Sequence, residues 1–374
     1  MLQVFVYGPL CHAPLLRAVL GHDAQTAPAI LTDHSVCAQP EAICATLQSA
    51  AGAQVQGRLI CGLVAEDLAR LDHFAALFGH APQLADVVSA GQRHRAHLYA
   101  GPGPYAETGR SGAGWSLSNW GASWGELVVQ VAGDLHRLFP QPVSPYRLGP
   151  MLVRAASRLR AQVGAAPTTL RRSMQTGDIV IEAQRQPYSG FFAVEEYDLS
   201  FRRFDDGRSP VVTRAAFVST DAVTVLPYDP VRDRVLLIEQ FRTGPLARGD
   251  RQPWQLEAIA GRIDPGETPQ DAARREAEEE AGLHLTRLLP IANYYPTPGA
   301  KTEFIYSFLA LTDLPDDCAI CGGEASEAED IQGHLVPFTG LMDLVASGEV
   351  ANAPLILTAF WLQRERSRLR GQGA

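Results

Sequence analysis

The stretch from Gly261 to Leu283 constrains this chain more than any other. Thr268-Pro269-Gln270-Asp271 marks a helix start, with Thr at the cap, Pro at the first helical position and an acid three beyond the cap. Gly282 is the natural stop. The helix between them puts Glu276, Glu279 and Glu280 within one turn, because positions three and four apart share a face. Carboxylates so crowded weaken a helix, and a divalent cation relieves the repulsion. Mg²⁺ or Mn²⁺ takes one or two protein carboxylates plus waters and substrate phosphate, which suits this cluster. Arg275 and Glu267 are expected to orient it. Most charge runs are solvated faces, and Glu278-Glu279-Glu280 is open to that reading. The residues before the helix weigh against it. Gly261 and Gly266-Glu267 bracket a loop leading from the apolar strand Leu256–Ala260 into the helix, which delivers the carboxylates to a sheet.

A chain of 374 residues with 46% hydrophobic content is too long for one typical core, so two domains are expected, divided near residue 166 into 1–165 and 166–374. There is no apolar run of about 18 residues, and Met-Leu-Gln-Val-Phe-Val-Tyr lacks the basic start of a signal peptide. The expectation is a cytoplasmic protein. A net charge of −9 disfavours nucleic acid and anionic membranes as partners and suggests that any phosphate is handled through a cation. Six cysteines without framework spacing read as reduced thiols, and Cys318-x-x-Cys321 lacks the second pair a structural zinc site needs.

In the first part, Val4–Tyr7 reads as a strand entering a tight loop at Gly8-Pro9, with a helix at Pro14–Leu20, strands at Val55–Leu59 and Arg95–Tyr99, and a helix at Ala65–Leu71. Trp120, Trp124, Leu127 and Val131 mark one apolar helix face, and a basic, alanine-rich helix covers Met151–Val163. The second part opens with strand signals at Asp178–Gln186, Phe192–Phe201, Val211–Val218, Ala222–Tyr228 and Arg234–Gln240. Tyr228–Asp233 has the turn chemistry of a hairpin between the last two. The class is α+β.

Gly261, Glu267, Arg275-Glu276, Glu279-Glu280 and Gly282-Leu283 match the Nudix hydrolase signature at its fixed positions over residues 261–283, with Ala277 where many members carry a larger aliphatic. The resemblance implies a C-terminal α/β/α sandwich with a mixed sheet. It also implies metal ligands at Glu276, Glu280, Glu279 and the backbone carbonyl of Ala260. Residues 177–369 resemble bacterial ADP-ribose pyrophosphatases, which implies Mg²⁺-dependent cleavage of ADP-ribose to AMP and ribose 5-phosphate. On that resemblance, Phe191 in Tyr188–Phe192 would stack on adenine, with Phe192 the core residue if neither stacks; Arg242 would meet phosphate, and Arg214 another part of the nucleotide, although its usual acidic neighbour is Ala215. Glu303, in Thr297–Glu303, would contact substrate. The catalytic base would come from Glu324–Asp330, with Glu327 the best match and Glu329 the reserve. The subfamily also implies a homodimer. The rival readings are hydrolysis of another nucleoside diphosphate sugar such as GDP-mannose, and a regulator that binds ADP-ribose without cutting it.

Val4–Leu10 resembles the opening of γ-glutamylcyclotransferase-like domains, which carry Tyr-Gly-x-Leu at the first strand–loop junction, here Tyr7-Gly8-Pro9-Leu10. Gly57–Leu63 and Leu68–Asp72 extend the resemblance, which implies a small β-barrel with helices over roughly residues 1–130. Where those enzymes place the glutamate that moves the proton, this chain has Ala75, and a methyl group is no base. A non-catalytic binding or packing domain is expected, with Tyr7–Leu10 as its ligand loop.

Overall fold

The computed structural model describes residues 2–37, 42–101, 115–164, 167–318, 321–323 and 329–371. The chain forms two compact units, Met1–Ala215 and Ala216–Ala374. The first contains a closed barrel of β1 (Leu2–Val6), β2 (Thr26–Cys37), β3 (Thr46–Leu63), β4 (Ala81–Ser89) and β5 (Gln92–Ala100), in the order β1-β3-β2-β4-β5. It closes where β1 and β5 run parallel, Val4 opposite His97. Helices α1 (Ala13–Leu20), α2 (Ala65–Leu77), α4 (Glu126–Leu138) and α5 (Leu148–Val163) share one core with the barrel. The short α3 (Leu117–Trp120) runs through a π-helical segment, Gly121–Gly125, into α4. The apolar face read from the sequence is the one that packs: Trp120 and Val131 are fully buried, and the Trp120 indole N–H donates to the carbonyl of Ile43 at 2.8 Å.

Strands β6 (Ile179–Ser189), β7 (Ala193–Phe201) and β8 (Val212–Val218) make a separate three-stranded sheet, and the division between the units falls inside β8. In the first unit, Arg158 of α5 donates to Asp134 of α4 and Glu195 of β7, both at 2.6 Å, and both acids are almost fully buried. Tyr197, Gln184 and Gln186 complete the hydrogen bonding around Glu195. Removing one partner of such a cluster strands the other charges in low dielectric. Arg158→Met is therefore expected to cost about 3 kcal/mol, read as an earlier urea transition of the first unit. An unchanged midpoint would show that the network contributes nothing net.

The second unit is built on a mixed sheet in the order β13-β14-β9-β10-β16-β15, with β11 beside β10 and β12 beside β9. The strands are β9 (Ala222–Asp229), β10 (Arg234–Phe241), β11 (Trp254–Glu257), β12 (Ile259–Arg262), β13 (Arg287–Tyr294), β14 (Ile305–Leu311), β15 (Cys321–Gly322) and β16 (Ile331–Pro337). Among the described strand pairs of this sheet, only β14 and β9 are parallel. The helices are α6 (Thr243–Arg248), α7 (Pro269–Ala281), α8 (Phe338–Ser347) and α9 (Ala353–Gly371). Alternation on β9 and β10 sorts the two faces. Val223, Val225, Leu236 and Ile238 pack with α7, whereas Leu226, Tyr228, Val235 and Leu237 pack with α8 and α9.

The hairpin at Tyr228–Asp233 forms as expected, with Arg234 opposite Asp229 and the Asp229 carboxylate accepting from the amides of Val231 and Arg232. The single apolar strand expected at Leu256–Ala260 is two strands: Glu257 pairs with Ile238 of β10, Ile259 pairs with Val225 of β9, and the chain changes neighbour at Ala258. Among the described residues, no helix is long and apolar enough to cross a membrane.

Candidate active site

Helix α7 has the ends its sequence marks. The Thr268 hydroxyl accepts from the Asp271 amide at 3.2 Å, and Gly282 takes the left-handed conformation, φ 62°. The face against the sheet is nearly all methyl groups, Ala272, Ala273, Ala277 and Ala281, so the helix lies close to β9 and β12. Glu280 shares this buried side, and its carboxylate accepts from the Ala260 amide at 3.2 Å. The strand bearing Ala260 is thereby tied to the last turn of the helix.

Arg275 organises the neighbouring carboxylates. Its guanidinium donates to both Glu267 oxygens at 2.8 and 3.0 Å, to Glu276 at 2.8 Å, to Glu279 at 2.9 Å and to the Arg262 carbonyl at 3.0 Å. Burial works against the charge on Glu267, yet the bonds from Arg275 and from the Asp264 amide hold its carboxyl below the usual range. Glu276 is pushed up to about 7, chiefly by burial. Glu280 is pushed up to about 9 by burial and then by the charge of Glu276. Gly261 leaves room for this packing, because a Cβ there would lie 1.8 Å from Glu276 Oε1.

Arg242, just past β10, donates through Nε and Nη2 to the two oxygens of Glu257, both at 2.9 Å. It lies within electrostatic reach of Glu280 and Glu329. Glu329 also acts on Glu276 and Glu280, so these four charges form one constellation. Gly322 packs so closely on the end of α7 that a Cβ would meet the Glu280 carbonyl at 2.0 Å, which fixes where the chain leading to Glu329 begins. Glu327 lies outside the described residues. Glu303 receives both of its hydrogen bonds from Lys301, at 3.0 Å. Phe191 and Arg214 belong to the first unit, where both are exposed and Arg214 donates to the Thr213 carbonyl. Phe192 is 37% exposed, edge-on to Phe191, and Ala193 rather than Phe192 takes the buried position.

Among the described residues no three acidic, His or Cys side chains converge into a preformed cation cage. What α7 offers is a pair, Glu276 and Glu280, beside the Ala260 backbone, while Glu279 turns to Arg275 and solvent. Two neighbouring carboxylates, Glu280 buried and Glu276 partly buried, in mutual repulsion fit a divalent cation that also takes ligands from waters and a phosphate.

Sequence reasoning missed Glu257, which fixes Arg242, and Lys301, which holds Glu303. It also missed Gln240, buried two residues before Arg242 with its Nε2 unpartnered. Strand alternation was the available signal for Gln240, because it follows Leu236 and Ile238 on the face that packs with α7.

A carboxylate pair on a capped helix, one member buried and one partly buried, tied by an arginine to the loop before it, is the arrangement that the 261–283 signature implies. The NUDIX domain model matches residues 218–356, and the model of the γ-glutamyl cyclotransferase, AIG2-like domain matches residues 4–119. The ADP-ribose pyrophosphatase of Escherichia coli K12 is 36% identical over 56% of this chain and 99% of that protein. The Haemophilus influenzae ADP-ribose pyrophosphatase is 35% identical over 52% of this chain and 89% of its own length. A GDP-mannose pyrophosphatase of Salmonella choleraesuis is 31% identical over 45% of this chain and 84% of its own. The chain belongs to the Nudix hydrolases, with an AIG2-like domain ahead of the hydrolase domain. Residues 120–217 fall outside both domain models.

Proposed function

We propose that the second unit hydrolyses the pyrophosphate of ADP-ribose to AMP and ribose 5-phosphate with Mg²⁺, Mn²⁺ being able to replace it. The observation that carries the reading is the constellation of Glu276, Glu280, Arg242 and Glu329, in which the surroundings push the Glu276 and Glu280 carboxyls up. Carboxyls held against their charge take it up when a divalent cation arrives, which suits a cation-loaded diphosphate.

Glu276, Glu280 and the Ala260 carbonyl would hold the metal, which would supply charge neutralisation of the diphosphate and make the attacking water easier to deprotonate. Glu327, with Glu329 in reserve, takes the proton as water oxygen attacks one phosphorus. The P–O–P bridge breaks and the second phosphate leaves with the bridging oxygen. Arg242 is held in place by Glu257 and donates to phosphate oxygens as charge builds there. Glu303, steadied by Lys301, contacts the substrate. Phe191 and Arg214 serve the nucleotide, in a cytoplasmic homodimer where each can act at a neighbouring site. The domain division at 165/166 belongs to the same reading.

ADP-ribose is preferred over GDP-mannose because the ADP-ribose pyrophosphatases match more of their own length at higher identity. Hydrolysis can be measured by coupling the phosphomonoester products to a phosphatase across ADP-ribose, GDP-mannose, NADH and diadenosine polyphosphates with Mg²⁺. ADP-ribose is expected to lead in kcat/KM by about tenfold or more. A clear lead for GDP-mannose would move the substrate assignment alone, and no turnover of any compound would sink the enzyme reading.

A further inference from the structure

The chain holds 32 Lys and Arg residues, and only one of them, Lys301, is lysine. It stands in the loop before β14, two residues ahead of Glu303, and its ammonium donates to both Glu303 oxygens at 3.0 Å. The residues on either side of it are pinned. The Ala300 carbonyl accepts from the Phe217 amide at 2.8 Å, and the Thr302 amide donates to the Phe217 carbonyl at 3.1 Å. The Thr302 hydroxyl donates to the Ser219 carbonyl at 2.9 Å, and the Lys301 amide donates to the Thr297 carbonyl at 3.0 Å. The charged pair on this fixed loop is open to a ligand, the Lys301 side chain being 33% exposed and that of Glu303 20%. The Phe217 ring flanks it, with its centroid 6.0 Å from Nζ.

An ammonium has three N–H donors, and two of those on Lys301 point to Glu303. One N–H is left, and each carboxylate oxygen keeps a lone pair. The pair therefore presents a donor and an acceptor side by side. Two adjacent hydroxyls on a sugar ring are its complement: one donates to a Glu303 oxygen while its neighbour accepts from Nζ. Building on the reading of Glu303 as a substrate contact, we infer that Lys301 is a specificity-determining residue, which together with Glu303 binds a vicinal diol of the nucleoside diphosphate sugar. Glu303 alone brings a further negative charge to an anionic diphosphate, and Lys301 cancels it. A substrate whose hydroxyls are missing or modified leaves both charged groups stripped of water without partners, which is how the pair discriminates.

Because Lys301 is the only lysine, an amine-directed affinity label reports on it alone, apart from the N-terminal amine. Periodate cleaves the diols of ADP-ribose to dialdehydes. The Lys301 nitrogen attacks an aldehyde carbon, water leaves, and the imine takes a hydride from cyanoborohydride to give a stable secondary amine. The full chain is treated in chelator, so that the reagent is not hydrolysed, and the adduct is located by peptide mass spectrometry. Binding raises the effective concentration of the aldehyde at Lys301, which is expected to carry at least about tenfold more adduct than the terminal amine. That preference runs against solution reactivity, since a terminal amine loses its proton more readily than an ordinary lysine. Excess unoxidised ADP-ribose is expected to suppress the Lys301 adduct, and inorganic phosphate to leave it in place. Lys301→Met is expected to lose about tenfold or more in kcat/KM, mostly through KM, the worth of one charged hydrogen bond. Label confined to the terminal amine, a Lys301 adduct that ADP-ribose does not suppress, or a KM for Lys301→Met within about twofold of the parent would each overturn the inference while turnover by the parent, and with it the hydrolase reading, stands. Should GDP-mannose lead the panel, its own oxidised diols make the reagent and the same criteria decide, so that only the substrate assignment changes.

Discussion

Replacing Glu280 with Gln is expected to lower kcat by about a hundredfold to a thousandfold, the cost of losing one preorganised charge-stabilising contact, while making the metal-free protein harder to unfold at pH 8. The two effects have one cause. Glu280 is 3% exposed and its carboxyl is pushed up to about 9 from an ordinary 4.5, so the fold disfavours the very charge that a cation needs. Below about pH 4.5 the group is neutral both folded and unfolded, and it contributes no penalty. Between there and about pH 9 the folded state keeps a proton that the unfolded chain releases, so stability falls as pH rises, by about 1.4 kcal/mol per unit at most. Gln carries no such proton and its amide oxygen can still accept from the Ala260 amide. The stabilisation by Glu280→Gln should therefore be near zero at pH 4.5 and reach about 2–4 kcal/mol by pH 8. Urea unfolding in chelator at both pH values reads this directly. Added Mg²⁺ should narrow the gap, since only the wild type gains from binding it. A variant less stable than wild type at pH 8 in chelator would mean that Glu280 is not held against its charge, and the electrostatic account of the site would fall with it.

The residues that could be read from the sequence are those whose chemistry is local. Thr268, Pro269 and Gly282 announce the helix because capping is settled within one turn, and Glu276, Glu279 and Glu280 follow from helical spacing. The hairpin at Tyr228–Asp233 was legible for the same reason, since Asp229 bonds amides two and three residues on. Ala258 was not, because an apolar run does not say when it changes its partner strand; only the positions of β9 and β10 decide that. Helix α9 is hard to recognise from pattern, with Ile356, Phe360 and Trp361 apolar alongside the buried Leu355, Ala359 and Leu362, so no single stripe stands out. Within the site, Glu257 reaches Arg242 across 15 residues and two strands, a distance that local spacing cannot signal. The acid pair itself was visible early, but its strained protonation was not, because burial comes from Ala273, Ala277 and the sheet beneath them.

Two glycines beside that pair are expected to respond to the same substitution in opposite ways. Gly261 has an ordinary backbone conformation, yet a Cβ there would fall 1.8 Å from Glu276 Oε1 and 1.9 Å from its carboxyl carbon. Gly266 has φ 83° with nothing within 4 Å of where a Cβ would go. Gly261→Ala must therefore move either the carboxylate or strand β12, and Glu276 has little freedom because Arg275 holds it at 2.8 Å. A shift of about 1 Å in a metal-binding carboxylate is expected to cost about a hundredfold in kcat, with Mg²⁺ affinity falling in parallel and stability by about 1–3 kcal/mol. Gly266→Ala adds no clash but forces a left-handed residue, worth about 1–2 kcal/mol of stability, and it leaves the carboxylates where they are. Its kcat at saturating Mg²⁺ should stay within about threefold of wild type, since effects away from charged contacts are small. The pair separates space from conformation with one methyl group each. If Gly261→Ala keeps wild-type turnover and Mg²⁺ dependence, Glu276 is not fixed against β12 in the working enzyme, and the metal pair built on it would have to be reassigned to Glu279 and Glu280.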